Sequence, residues 1–297
     1  MSHSIALDPD TRADHEPFGD KSMGLHDVRA DIAYQRLAMV NVVFLGEPGG
    51  NPWFMMDAGL PGMAGFIRRA AEARYGKGAR PAAILLTHGH IDHVGSLEAL
   101  ADEWDVPIYA HELEMPYLNG GASYPPPDPK VGGGIMSPLS KFFSRGPINV
   151  SRWLQPYATD HTTPLGDWHW LHVPGHTPGQ VAFFRDSDRS IIAGDAFITT
   201  AQESAYSVTV QKLEMHGPPM YYTQDWDAAR DSVQRLAALE PELAVCGHGR
   251  PIHGPQLRQA LHHLAHNFDQ IALPWHGKYL NHPARPEDGT AYTQKQS

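Results

Sequence analysis

One cysteine in 297 residues, Cys246, leaves no partner for an internal disulfide. Clusters of Lys or Arg are missing too: 23 basic residues face 33 acidic ones, for a formal net charge of −10. Phosphate backbones are bound by clustered cations, so nucleic acid is not expected as a partner. No apolar run reaches the length of a membrane span and no lipid-anchor motif occurs, so no membrane association is expected. Residues 1–30 are polar, with Asp8, Pro9, Asp10, Asp14, Glu16, Pro17 and Asp20 among them. They lack the basic-then-apolar order of a secretory leader and read as a mobile tail on a cytoplasmic protein. The lone thiol precedes Gly247 in an apolar segment, which reads as a buried structural cysteine.

Histidine, by contrast, is plentiful, with 19 in the chain. Four potential metal ligands fall within six residues: His88, His90, Asp92 and His93, spelling H-x-H-x-D-H. The motif follows the apolar run 82–87, which reads as a buried strand after Pro81. In an extended segment, side chains two apart point the same way, so His88 and His90 can share one ion. Once the chain turns into a helix, Asp92 and His93 aim elsewhere. The spacing therefore suits two adjacent metal sites. Burying these groups side by side without a cation would be costly.

Further ligands are offered by three glycine-flanked turns after short apolar segments. His176 lies in Pro174-Gly175-His176-Thr177-Pro178-Gly179, Asp195 follows Ile191-Ile192-Ala193-Gly194, and His248 sits between Gly247 and Gly249. Glycine lets the backbone approach a site closely.

Taken in order, H-x-H-x-D-H at 88–93, the His of PGHTPG at 176, the Asp of GD at 195 and the His of GHG at 248 resemble the hydrolase pattern of the metallo-β-lactamase-fold superfamily. Residues 41–45 and 56–60 look like that family's opening β-hairpin, and the resemblance covers about residues 31 to 255. It implies an α/β fold, a four-layered αβ/βα sandwich with the metal site at one edge between two sheets. The expected ligands are His88, His90 and His176 on one metal and Asp92, His93 and His248 on the other, with Asp195 bridging. Asp57 is expected behind a ligand, orienting it, or else as a turn residue before Gly59.

The remaining pattern is consistent with this. Strands are expected at 31–45, 52–57, 106–110, 168–173, 181–185, 190–194 and 243–246, and helices at 63–75, 93–104, 226–239 and 255–271. The domain is expected to span 31–285, with an insertion at 116–164 and a C-terminal tail at 286–297. The insertion carries Phe142, Phe143, Trp153 and Tyr157, all exposed-looking, and suits a substrate-covering lid or a homodimer contact. A second irregular stretch, 201–222, follows Asp195 and so falls near the metals by connectivity. Phe142, Phe143, Tyr206, Met215 and His216 are the candidate substrate contacts.

Two divalent ions in such a site, zinc first and iron or manganese as alternatives, can hold a bridging hydroxide that attacks a carbonyl or phosphoryl centre. Asp92 is the candidate proton carrier. Relatives that open acyl-homoserine lactones often carry tyrosine three residues after the bridging Asp; here Ile198 stands there, with Tyr206 as a substitute. The expected activity is hydrolysis of a neutral acyl substrate: a lactone, ester or thioester. The alternatives are a phosphodiester or organophosphate hydrolase, a mononuclear iron sulfur dioxygenase of the same fold, or a non-enzymatic metal-holding scaffold.

Overall fold

Consecutive residues of Val40–Leu45 serve two different cores. Val42 and Phe44 pack toward helices, while Val43 and Leu45 pack toward a second sheet. Side chains alternate across a strand, so a strand buried on both faces must be apolar at nearly every position. Such strands read as continuous hydrophobic runs in this sequence.

The computed structural model describes residues 4–7, 24–131, 144–200 and 213–294. Its larger sheet has seven strands in sequential order: β2 (Leu25–Arg29), β3 (Ile32–Leu37), β4 (Val40–Leu45), β5 (Phe54–Met56), β6 (Ala83–Leu85), β7 (Ile108–Ala110) and β8 (Leu154–Pro156). The first four run antiparallel, and β5 to β8 run parallel. Helices α1 (Ala64–Tyr75), α2 (Ile91–Val94) and α3 (Leu97–Trp104) lie among the β5–β7 connections. The apolar side chains of α1 and α3 cover one face of the sheet, Ile67, Ala71, Leu97 and Leu100 being fully buried there. α4 (Met115–Leu118) follows β7.

The smaller sheet has the order β14-β13-β11-β10-β9, where β9 is Trp168–His172, β10 Val181–Arg185, β11 Ser190–Gly194, β13 Leu243–Cys246 and β14 Ile252–His253. Its outer face is covered by α5 (Trp226–Ala238) and α6 (Gly254–His266) through Val233, Leu236, Leu257, Leu261 and Leu264. α7 (Phe268–Ile271) and α8 (Lys278–Asn281) complete the helices among the described residues. Between the sheets lie Ile32, Tyr34, Phe54, Leu85, Trp168, Phe183, Ile192 and Val245. The layering is αβ/βα. Truncating a central residue such as Phe183 to Ala would cost about 3–5 kcal/mol.

Several expectations need correction. Residues 1–30 are not a free tail along their described length: β1 (Ile5–Ala6) pairs with β12 (Glu214–Met215), and β2 forms the edge of the larger sheet. Residues 286–294 are not a free tail either, since Thr293 bridges to Ser123 and the Tyr117 hydroxyl donates to Ala291 O at 2.8 Å. Hydrophobic periodicity could not register these segments because backbone pairing anchors them. The expected helix at 93–104 is two helices, broken at Gly95 and Ser96, and the one at 255–271 breaks at Asn267. The insertion is partly core: β8 extends the larger sheet, and Tyr157 is buried with its hydroxyl donating to Leu86 O. Cys246 is buried on the helix side of its strand, and that burial pushes its thiol pKa up.

Candidate metal centre

Each candidate ligand leaves the end of a strand at the same edge of the two sheets. His88 and His90 follow β6, Asp92 and His93 lie on α2, His176 turns between β9 and β10, Asp195 follows β11 and His248 follows β13. These seven residues converge into three overlapping groups: His88, His90 and His176; His88, His93 and Asp195; and Asp92, His93 and His248. Asp195 faces members of both halves. Its Oδ2 lies 3.5 Å from His176 Nε2 and 3.1 Å from His248 Nε2, and its Oδ1 lies 3.5 Å from His93 Nε2. Asp92 Oδ2 stands 3.4 Å from His248 Nε2.

The ring orientations follow from what each Nδ1 touches. The Thr87 hydroxyl donates to Asp57 Oδ2 at 2.7 Å, so its oxygen accepts from His88 Nδ1 at 3.1 Å. The Thr223 hydroxyl donates to Pro219 O at 2.8 Å and likewise accepts from His176 Nδ1 at 3.1 Å. His93 Nδ1 donates to Asp57 Oδ2 at 2.8 Å, and His248 Nδ1 donates to Met39 O at 2.6 Å. In these four imidazoles Nδ1 is thereby the nitrogen turned outward and Nε2 the one turned toward the centre. His90 differs: its Nδ1 faces His176 Nε2 at 2.9 Å.

These residues fit a cation. Nε2 of His88 and His93 and Oδ1 of Asp195 are buried with no hydrogen-bond partner, which is costly unless an ion completes them. Imidazole and carboxylate donors suit zinc, iron or manganese. Gly247 leaves the necessary room: a Cβ there would stand 2.1 Å from Asp195 Oδ1 and 2.7 Å from His93 Cε1.

Charge is compensated within the cluster. Burial opposes ionisation of Asp195, yet His248 and His93 hold its carboxyl far below the usual range, and His93 and His248 do the same for Asp92. Burial likewise opposes charge on His248, but Asp195 and Asp92 raise it to about 10. Burial, reinforced by neighbouring histidines, lowers His88 and His90; for His176, burial outweighs Asp195 and the value falls to about 4. The three histidines of the first group are therefore neutral, as ligands must be.

The profile of the metallo-beta-lactamase superfamily matches residues 36–248. The chain belongs to that superfamily. It is 41% identical over 254 residues to the probable metallo-hydrolase YflN of Bacillus subtilis, covering 85% of this chain and 94% of that protein. A second Bacillus subtilis relative, the probable metallo-hydrolase YybB, is 30% identical over 203 residues, covering 68% of this chain and 78% of its own. Among solved structures, metallo-beta-lactamase SMB-1 bound to 2-mercaptoethanesulfonate superposes with a TM-score of 0.55 at 19% identity, covering 78% of this chain and 83% of that one. That likeness concerns the fold.

The candidate substrate residues fare differently from the ligands. Phe142, Phe143 and Tyr206 lie outside the described residues. Met215 is fully buried in the core beneath α5 and α6, which removes it from any substrate-facing surface. His216 is nearly buried, pairs through its backbone with Ile198 and stands 3.7 Å from Glu214. The aromatic rings packed on His90 come from residues the sequence did not single out. The rings of Tyr124 and Tyr222 lie 4.5 and 4.7 Å from that of His90. Tyr222 ends the stretch expected near the metals by connectivity; Tyr124 had only its place in the insertion as a signal. Asn41 was also missed: its side-chain amide donates to Cys246 O at 2.9 Å and Gly249 O at 2.7 Å, clamping the His248 turn to the larger sheet.

Proposed function

We propose that this metal-dependent hydrolase holds two divalent ions, zinc first among the candidates, and cleaves a neutral acyl substrate: a lactone, ester or thioester. The observation that carries the two-ion reading is Asp195, whose carboxylate reaches His176 on one side and His93 and His248 on the other. One ion held by three imidazoles would leave Asp92, His93 and His248 with no role. Ions bound there would activate a water as nucleophile and polarise the scissile carbonyl.

The chain's own residues supply the rest. His88, His90 and His176 would hold one ion, and Asp92, His93 and His248 the other, with Asp195 between them. Asp92 keeps 20% of its side chain exposed, against 2% for Asp195. An acid–base group must reach both substrate and solvent, so Asp92 Oδ is the atom suited to take the proton from the attacking water and return it to the leaving group. Tyr222, beside His90, offers an apolar face to an acyl chain and keeps bulk water from the reacting carbonyl. The net charge of −10 disfavours polyanions, which would meet repulsion at long range.

The test is kcat/KM for a lactone, a thioester, a β-lactam and a phosphodiester on one zinc-loaded preparation. The lactone or thioester is expected to lead, and Asp92→Asn to lower turnover by about 100-fold or more. A wide margin for the phosphodiester, or full activity in Asp92→Asn, would show the reading to be wrong.

A further inference from the structure

A buried carboxylate outside the ligand set joins the two loops that form the first metal group. Glu114 ends a short 3-10 turn, Glu112–Glu114, whose first residues are capped by the side chain of His111. Its carboxylate is 1% exposed. Oε2 accepts the N–H of Gly89 at 2.9 Å, and Oε1 accepts the N–H of Gly179 at 2.8 Å. Gly89 stands between His88 and His90, and Gly179 is three residues past His176. The hydroxyl of Tyr124 also donates to Oε2 and accepts the same Gly89 N–H at 2.9 Å, so that N–H is shared between the two side chains. Among the described residues no ion pair neutralises Glu114. An unpaired carboxylate is expensive to bury, and here converging donors offset that cost.

Both glycines are points of close approach. A Cβ on Gly179 would stand 2.8 Å from Glu114 Cγ, and one on Gly89 would stand 2.8 Å from the Tyr124 hydroxyl and 3.4 Å from Glu114 Oε2. The His88–His90 loop belongs to the larger sheet and the His176 loop to the smaller one. The spacing between their imidazoles therefore depends on whatever ties the loops together at this edge.

We propose that Glu114 is a positioning residue: by accepting one amide from each loop, it fixes the separation of His88 and His90 from His176 and so sets the affinity and geometry of the first metal site. This rests on the two-ion reading above. A carboxylate is required because it presents an acceptor to each loop. A glutamine of the same shape has one acceptor oxygen and would turn an NH2 group toward one of the two backbone N–H groups.

The experiment is titration of metal-free protein with Co2+ against a competing chelator, following the visible absorption of the bound ion. Wild type should take up two ions. Glu114→Gln should lose about 10–100-fold in affinity for one of them, with an altered spectrum for that ion only. Tyr292→Phe, which removes a neighbouring hydroxyl bonded to Leu113 O and leaves both loop bonds in place, should keep both affinities within about threefold. If Glu114→Gln does not accumulate as folded protein, Glu114→Asp retains both oxygens on a shorter stem and should show the same selective loss. Wild-type affinities and spectrum in whichever variant folds would overturn the role of Glu114 while leaving the metal reading intact. Failure of the wild-type protein itself to bind Co2+ would overturn both.

Discussion

Asp57 Oδ2 lies 2.8 Å from Nδ1 of His93, joining residues 36 positions apart in sequence. Asp57 reaches it from the end of β5 with a φ of +60°, an unusual backbone for a non-glycine residue. Its turn is bonded to α2 and to the residue after it: Ala58 N–H donates to His93 O at 2.6 Å, and Gly95 N–H to Gly59 O at 2.8 Å. The same carboxylate accepts the backbone N–H of Thr87 at 2.8 Å. One side chain thus orients His93 directly and His88 through Thr87. Asp57→Asn should weaken metal binding by about 10–100-fold, most at the second site. Isothermal titration with zinc would measure it, and unchanged affinity would reduce Asp57 to a turn residue.

Seven convergent candidate ligands exceed the needs of one tetrahedral ion, so fully loaded protein should contain about two metals per chain by elemental analysis. His88→Ala should weaken the site shared with His90 and His176, and His93→Ala the site shared with Asp92 and His248. One metal per chain at saturation would contradict the two-ion arrangement.

Gly247→Ala should lose at least one metal equivalent while retaining secondary structure. The new methyl would stand 2.1 Å from Asp195 Oδ1, closer than nonbonded atoms can approach, so Asp195 or the His248 turn must move. Circular dichroism beside metal analysis separates this outcome from unfolding. A fully loaded variant would mean that Asp195 does not need its present position.

Burial, aided by His172 and His161, pushes His111 down to about 4, and its ring stacks on His172 at 4.3 Å. The unfolded chain protonates this residue near 6.5. The stability contributed by the neutral ring is therefore complete above about pH 6.5 and is lost as pH falls toward 4. His111→Phe keeps an aromatic face and removes the titration. Its unfolding free energy from denaturant titration should fall less between pH 7 and pH 4.5 than that of wild type, by about 1–2 kcal/mol after allowance for solvent screening. Parallel pH profiles for the two proteins would remove His111 from the acid response.

The candidate ligands that converge in the structure were legible in the sequence because each group of them follows a short apolar strand. Strand burial on both faces writes a continuous run, and a glycine-flanked His or Asp after that run marks the end where backbone gives way to site. Those signals are local, so they survive in one dimension. H-x-H-x-D-H, His176, Asp195 and His248 needed no knowledge of which strands are neighbours, and the layered fold followed from the same runs and the family likeness they carry.

What only the tertiary structure decided is how residues from different elements meet. The Thr87–Asp57–His93 relay, the clamp of Asn41 on the His248 turn, the tyrosine rings beside His90 and the two loop amides on Glu114 all join segments distant in sequence. None has a periodicity, because a hydrogen bond between two loops constrains one residue on each side rather than a face. Met215 illustrates the converse. Its place after Asp195 suggested the substrate side, but strand pairing with Ile5 and packing under α6 turned it into the core. Chain connectivity bounds how far a side chain can lie from a site; packing decides which way it points.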